Sequence, residues 1–245
     1  MSDLGTPSEL PDQVSVAQLR RREREATQSL LGDTIMIGDQ DWQEASRLPG
    51  WTRAHVATHI ARNADALRRS VTGLLNHTST RMYPSEAEKV ADLEAGSLRG
   101  ALELQIDLDT SAGELSHAFD QLEDVDPDEV VQLAPGQRVS VGQLPLARLN
   151  EVVLHHLDLD CGYTAEMVDG DIARWLLEWN CSLIGDSDLF PALEVYSHSG
   201  WHARIGGPGR PTTVRGTDAR LLCWLTGRAG AELIEGADDV ELPTW

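Results

Sequence analysis

Two pairs of residues with a four-residue spacing constrain this chain most: His55 and His59, and, about ninety residues later, Glu151 and His155. On an α-helix, residues four positions apart lie only about 40° apart around the axis, so each pair points to one side of its helix. The pairs therefore predict two helices that each present two polar side chains on one face. We expect these faces to meet inside a helical bundle.

Metal ligation is the chemistry that these residue types favour. If the two helices face one another, His59, Glu151 and His155 supply two imidazoles and one carboxylate, which is the ligand set of a catalytic zinc with an open fourth position. His156 is the competing histidine, but it lies about 140° around the helix from Glu151, whereas His155 lies about 40° away. His155 is therefore predicted as the ligand.

The helix that carries His59 is predicted to begin after Thr52, a good N-cap residue, and to run towards Leu75. Its core stripe recurs at steps of three and four residues and consists of Val56, Ile60, Asn63, Leu67, Val71 and Leu74. His59 adjoins this stripe, which favours it as the inward ligand. His55 lies nearer the edge, where it either orients its neighbour or is an ordinary surface residue.

Two long segments flank that helix in sequence. Residues 14–38 predict a first amphipathic helix, and residues 84–122 predict a third, which Gly96 and Gly100 can kink or break. Gly113 is a further possible break in the third segment. The apolar residues spaced for a helix in that segment are Leu93, Leu98, Leu102, Ile106, Leu115 and Phe119.

The helix around Glu151 is predicted at about residues 141–163 and is apolar nearly all round, so we expect it to be buried. A carboxylate such as Glu151 is costly in those surroundings unless it is paired or bound to a metal. Just before this helix, residues 130–141 contain Pro135 and Gly136 and predict either a short hairpin or a loop.

After about residue 166, the sequence predicts short strands as well as helices. A helix at 171–184 is followed by two strands at 193–196 and 201–205, which read as a hairpin, and by a third strand at 212–215. A helix at 218–227 and a last strand at 231–235 complete the segment. We therefore predict a four-helix bundle over residues 1–165 and a small C-terminal α/β domain, of the α+β type, over residues 166–245.

Composition excludes several classes of partner. The net charge of −20 and the pI near 4.6 disfavour nucleic acid and anionic membranes, so an anionic substrate needs a local cationic contact. No apolar run approaches the roughly 18 to 20 residues of a membrane span, and the first 18 residues lack a signal-peptide pattern. The three widely spaced cysteines, Cys161, Cys181 and Cys223, favour reduced core residues. We expect a cytoplasmic protein.

Several stretches occur in the order typical of one known family and span nearly the whole chain. They are Gly50–Ala61, Asn63–Ala64, Met82–Ser85, Asn150–Leu159 and Thr226–Arg228. Through these stretches the chain resembles the mycothiol-dependent maleylpyruvate isomerases, which belong to the wider group of DinB-like metal-binding bundles. The resemblance implies a four-helix bundle that holds a divalent metal, usually zinc, and a C-terminal domain that closes over the site.

Carried over by position, the resemblance implies that His59, Glu151 and His155 are the metal ligands. It also implies that Arg228 is the essential arginine supplied by the C-terminal domain. One departure is Lys89, because the family tends to place an arginine there, and arginine and lysine are not equivalent at a bidentate carboxylate contact. This departure bears on the identity of the substrate more than on the metal site.

The activity implied by the resemblance is isomerisation of maleylpyruvate to fumarylpyruvate, part of aromatic-compound catabolism, with mycothiol as the thiol cofactor. Three alternatives stay open at this point. They are a mycothiol S-transferase that conjugates an electrophile, a bundle that binds metal and thiol without turnover, and a hydrolase that uses metal-bound water. The expected partners are mycothiol and a small anionic electrophile, and a monomer fits a chain in which one domain caps the other.

Overall fold

The computed structural model describes residues 14–78, 82–83, 85–134 and 137–243. These residues form two compact units, one from Val14 to Tyr163 and the other from Thr164 onwards. The sequence-based boundary lies after residue 165, close to this division. Pro135 and Gly136, named above for the segment 130–141, lie outside the described residues. Pro84 of the motif Met82–Ser85 also lies outside them.

The first unit is mostly helical. In chain order its elements are α1 (Val16–Thr34), α2 (Asp39–Trp42), α3 (Arg53–Leu75), α4 (Glu86–Ser97), α5 (Ala101–Asp120), β1 (Val130–Ala134), β2 (Gln137–Ser140) and α6 (Leu144–Asp158). The long helices pack in a ring, because α3 contacts α5 and α6 while α1 also contacts both. The predicted four-helix bundle is confirmed.

Local sequence signals explain where α3 begins. The Oγ1 atom of Thr52 accepts a hydrogen bond from the His55 N–H, and the Thr52 N–H donates to His55 Nδ1 at 3.2 Å. This is a capping box in which a histidine ring takes the place of the usual glutamate or glutamine. The predicted stripe also lies in the core, since Val56, Ile60 and Val71 are buried. The predicted N-cap and course of this helix are confirmed.

The helix α6 is buried on nearly all sides, as its apolar sequence predicts. It is shorter than predicted, because residues 141–143 form a 3₁₀ turn and the helix ends at Asp158. Asp160 and Gly162 both have positive φ, which ends the helical path before Tyr163. Of the two possibilities for residues 130–141, the chain adopts the hairpin, with β1 and β2 paired antiparallel.

The third predicted helical segment is two helices, with the break next to Gly100, one of the glycines that were expected to kink or break it. Three of its helix-spaced apolar residues do not lie in the core. Leu98, Leu102 and Ile106 are 82%, 73% and 54% exposed. The chain leaves α4 after Ser97 and restarts helix α5 at Ala101 with Gly100 as its N-cap, so residues on either side of this break do not share one face. The buried face of α5 consists of Leu104, Leu108, Ser111, Leu115, Ala118 and Phe119.

Close packing of α4 on α3 requires a glycine at position 96. A methyl group added to Gly96 would lie 2.3 Å from Cγ2 and 3.0 Å from Oγ1 of Thr58, the buried neighbour of His59. By contrast, a methyl group on Gly113 in α5 would meet nothing within 4 Å. Gly96 is thus a contact point between helices, whereas Gly113 makes no such contact.

We expect Gly96→Ala to destabilise the protein. Overpacking costs about 1–3 kcal/mol, which outweighs the roughly 0.5–1 kcal/mol that alanine gains over glycine within a helix. The matched control, Gly113→Ala, should instead raise the free energy of unfolding by about 0.5–1 kcal/mol. Urea unfolding of the three proteins measures both effects, and equal stability of the two variants would contradict the packing argument.

The second unit contains α7 (Gly170–Ile184), β3 (Leu193–Ser197), β4 (His202–Ile205), β5 (Thr212–Gly216) and α8 (Asp218–Leu225). The three strands form one sheet in the order β4-β3-β5, with β3 antiparallel to β4 and parallel to β5. Helices α7 and α8 pack against each other and α8 contacts the sheet. The predicted hairpin and third strand are confirmed, and the unit is of the α+β type.

The predicted last strand at 231–235 is wrong. Ala231–Leu233 is a 3₁₀ turn in which the Ile234 N–H bonds to the Ala231 carbonyl, inside the segment rather than across to a strand. Only Glu235 pairs with a strand residue, through an isolated bridge to Arg215. Within the described residues, no helix combines the length and the apolar character that crossing a membrane requires.

Candidate metal centre

The two residue pairs that open the sequence argument meet between α3 and α6. The Nε2 atom of His59 lies 3.1 Å from Oε2 of Glu151, and the Nε2 atom of His155 lies 3.6 Å from the same oxygen. Potential ligand atoms of the three residues all lie within 4.8 Å of one another. In the described part of the chain, this is the one group of three such residues close enough to hold a metal ion.

The rings around this group are tightly arranged. The His59 and His155 rings meet edge to face with centroids 4.5 Å apart, and the Trp51 ring lies 5.6 Å from that of His59. Trp51 precedes Thr52, the residue that caps α3. This tryptophan therefore packs against a candidate ligand.

Asp158 fixes the orientation of His155. Its Oδ2 atom lies 2.9 Å from His155 Nδ1, and its side chain is fully buried. When Nδ1 donates its proton to this carboxylate, Nε2 is the nitrogen that remains for a metal, and it is the one that faces Glu151. A carboxylate behind a histidine in this way is typical of protein metal sites.

Electrostatics keep the central carboxylate charged. Burial alone would raise the pKa of Glu151, but the contacts with His155 and His59 outweigh it and hold this pKa well below its ordinary value. For His155, burial favours a lower pKa, but Asp158 and Glu151 raise it overall. For His59, burial lowers the pKa despite Glu151, and the charges of His155 and Lys89 add to that lowering.

Two further histidines on these helices, His156 and His55, have partners outside the group of His59, Glu151 and His155. His156 is buried on another side of α6, where Nε2 lies 3.1 Å from Asp33 Oδ2 and the ring stacks on Tyr163 at 4.0 Å. Burial lowers the pKa of His156 to about 4. The Nδ1 atom of His55 is taken by the Thr52 cap, and its Nε2 lies 3.7 Å from Glu94. The structure thus brings His155, and not His156, to Glu151.

Lys89 extends from α4 towards Tyr83. Its Nζ atom lies 5.2 Å from the centroid of the Tyr83 ring and 3.8 Å from Glu86. Burial, with a further contribution from the Glu151 carboxylate, raises the pKa of Tyr83 to about 12, so its phenol stays protonated at neutral pH. Lys89 is thus a cation whose charge acts on His59, and Tyr83 is a neutral hydroxyl donor that feels the charge of Glu151.

Arg228 lies in the second unit, directly after Gly227, which has a φ of 74° and ends the turn after α8. Its N–H donates to the Cys223 carbonyl and its side chain donates to the Thr226 carbonyl, both at 2.7 Å. These bonds complete the C-terminal end of α8, as a cation at a helix C-terminus is expected to do.

Sequence reasoning did not single out Asp158 or Arg148. Asp158 could have been found from its three-residue spacing to His155 on an apolar helix, where a buried acid needs a partner. Arg148, which is 1% exposed, also lies on that helix, three residues before Glu151. Its partners are on α3, so nothing in the local sequence points to them.

The family model of the mycothiol maleylpyruvate isomerase N-terminal domain matches residues 20–160 of the chain. The chain belongs to this family. The matched residues include α3 and α6 and therefore the whole group of His59, Glu151 and His155. The family resemblance inferred from the sequence motifs is confirmed.

Two solved structures share the fold of this family member. They are crystal structures of the mycothiol-dependent maleylpyruvate isomerase and of a histidine-to-alanine variant of it. Each has a TM-score of 0.86 and 22% sequence identity to this chain, and each match covers 98% of this chain and 99% of the other. Among curated proteins, no sequence matches the chain.

Proposed function

We propose that this protein is a metal-dependent and mycothiol-dependent isomerase that converts maleylpyruvate to fumarylpyruvate. The observation that carries the proposal is the convergence of His59, Glu151 and His155, with ligand atoms within 4.8 Å of one another, inside the matched family domain. Two imidazoles and one carboxylate leave a fourth position open in a tetrahedral zinc site, as in catalytic zinc centres.

The residues present fit a zinc ion. Both histidines offer Nε2 to the space beside Glu151, and Asp158 Oδ2 lies 2.9 Å from His155 Nδ1, where it would hold the Nδ1 proton. The depressed pKa of Glu151 keeps its carboxylate ionised at neutral pH, so this ligand needs no deprotonation when the metal binds. The donor set matches zinc rather than magnesium or calcium, which prefer oxygen ligands.

When bound, the metal would keep the mycothiol sulfur as a thiolate, the form in which a thiol is nucleophilic. Maleylpyruvate would isomerise because reversible addition turns its cis double bond into a single bond, which rotates before the thiol leaves unchanged. The Trp51 ring lies 5.6 Å from the ring of His59 and would help to exclude water from this space. The protonated phenol of Tyr83 would donate to an oxygen of the substrate.

A chain of net charge −20 needs local cations to hold an anionic substrate. We assign this role to Arg228, with Lys89 as a second cation. The assignment of Arg228 requires the second unit to close over the first, as the resemblance implies. Its support is the motif Thr226–Arg228 and the ordered position of Arg228 after α8.

One observation favours a second candidate, a mycothiol S-transferase. At the position where the family tends to have arginine, Lys89 packs its ammonium against the Tyr83 ring and Glu86. A lysine cannot donate two parallel hydrogen bonds to a carboxylate as an arginine can, so an electrophile other than maleylpyruvate would suit this chain. The metal centre and the thiol are the same in both candidates.

Turnover of maleylpyruvate by the zinc-loaded protein tests the proposal, followed optically with and without mycothiol and with His59→Ala as the control. Conversion to fumarylpyruvate that needs the thiol and returns it intact is the expected result. A stable thioether product would support the transferase instead. Binding of metal and mycothiol without any conversion of maleylpyruvate or other electrophiles would indicate a binding protein and contradict both enzymatic proposals.

The predicted monomer and the predicted cytoplasmic location remain proposals. All three cysteines lie in the described residues and form no disulfide, and burial raises the pKa of both Cys161 and Cys181. Thiols with raised pKa values are unreactive, which suits the cysteines of a protein in a reducing compartment.

A further inference from the structure

Arg148 is a buried cation in the bundle that the proposed mechanism does not use. Its side chain is 1% exposed, and NH1 donates to the Ile60 carbonyl and to Asn63 Oδ1, both at 2.8 Å. Both acceptors belong to α3, whereas Arg148 belongs to α6. The guanidinium therefore ties together the two helices that carry the candidate metal ligands.

The two hydrogen bonds of Arg148, referred to below as the tie, lie close to the candidate ligands on both helices. Ile60 directly follows His59, and Asn63 lies one turn further along α3, while Arg148 lies one turn before Glu151 on α6. The contacts of Glu151 with His59 and of Arg148 with Asn63 show that the helices run antiparallel here, so the tie lies one helical turn from the ligand group. Any slip of one helix along the other would stretch these bonds.

The surroundings of Arg148 are unfavourable for a charge that serves stability alone. Burial lowers the pKa of Arg148, opposed by the carboxylates of Glu23 and Glu151. Glu23 on α1 is itself buried, and burial raises its pKa against the pull of Arg148. Well-packed apolar side chains are often at least as stabilising as buried charges of opposite sign. A role in positioning the neighbouring residues of α3 and α6 would explain why a cation lies at this point.

We infer that Arg148 is a positioning residue that fixes the spacing of α3 against α6 and thereby sets the separation of His59 from Glu151. The inference rests on the metal centre proposed above. It predicts that loss of the tie changes the metal site itself, beyond any loss of stability. Groups that orient metal ligands without touching the metal typically alter metal affinity by about 10-fold to 100-fold.

The test compares Arg148→Met and Arg148→Lys with the wild-type protein. Methionine removes both bonds, whereas the lysine side chain ends one atom earlier and cannot reach both acceptors without moving a helix. Competition with a chelator gives the Zn²⁺ affinity, and the visible absorption of the Co²⁺-loaded protein reports the coordination geometry. We expect an affinity loss of about 10-fold to 100-fold and a changed Co²⁺ spectrum in both variants.

Glu23→Gln is the matched control, because it removes a buried carboxylate whose charge acts on Arg148 but leaves the two bonds from Arg148 to α3. It should lower the midpoint of thermal unfolding while keeping the Zn²⁺ affinity and the Co²⁺ spectrum of the wild type. If Arg148→Met does not fold, Arg148→Lys carries the test. Wild-type metal properties in the Arg148 variants, or equal changes in Glu23→Gln, would overturn the inference; a wild-type protein that binds no metal would overturn the proposed centre as well.

Discussion

Replacing Glu151 with glutamine is expected to strip the protein of its metal and to abolish thiol-dependent turnover. Glu151 lies next to both histidines, because its Oε2 atom is 3.1 Å from His59 Nε2 and 3.6 Å from His155 Nε2. Glutamine keeps the size of the side chain but removes the negative charge, so two imidazoles and a neutral amide would face a divalent cation. Metal content after gel filtration, measured by atomic emission, should fall from about one ion per chain to nearly none.

The substitution should leave the fold in place, which separates it from general damage. Both histidines lose the carboxylate that favours their protonated forms, but Asp158 still holds His155 through Nδ1. Circular dichroism should therefore show unchanged helical content. A variant that retains bound metal and wild-type turnover would remove Glu151 from the site and would leave the proposed centre without its carboxylate.

His55→Gln is the matched control for this experiment. It removes an imidazole from the same face of α3, one turn before His59, and glutamine at this position is a standard partner for a threonine cap. Metal content, stability and turnover should all stay close to wild type, because His55 bonds to Thr52 rather than to the ligand group. Loss of metal in this control would give His55 the orienting role that its sequence position leaves open.

The parts of this molecule that could be predicted from sequence are those that local chemistry decides. Thr52 caps α3 through its own hydroxyl, and a four-residue spacing puts Glu151 and His155 on one face wherever that helix lies. The burial of α6 follows from an apolar surface that has no polar side to turn to solvent. Each of these conclusions requires only the residues within one helix.

The remaining features depend on which elements meet. Gly96 and Gly113 look alike in sequence, yet a methyl group added to Gly96 would clash with Thr58 on another helix, whereas one added to Gly113 would meet nothing within 4 Å. The bonds from Arg148 exist only because α3 passes α6 at a particular register. The segment 231–235 has strand-like residues, but its first three residues close a turn on themselves. Tertiary packing overrides local preference in such cases.

Replacing Arg228 with alanine is expected to lower turnover by about 10²-fold to 10³-fold while leaving the metal in place, the size of effect seen when one preorganised donor to developing charge is removed. Arg228 belongs to the second unit and the three candidate ligands belong to the first, so its loss takes nothing from the metal coordination. In the proposed reaction it would hold a substrate carboxylate or the developing enolate. Stopped-flow or steady-state rates at fixed mycothiol, together with metal content, measure both parts of this expectation.

Arg204→Ala is the control for Arg228→Ala, because Arg204 is an exposed arginine of the same unit that also donates to a backbone carbonyl, that of Gly209. It should change neither the rate nor the metal content.

Arg228→Lys adds a second comparison. It keeps the positive charge but loses the paired N–H donors of the guanidinium. A rate between those of Arg228→Ala and wild type would therefore indicate bidentate binding of a carboxylate. If Arg228→Ala loses metal and turnover together, that result would contradict a role of Arg228 in substrate binding. A residue that only contacts the substrate cannot control how much metal is bound between α3 and α6.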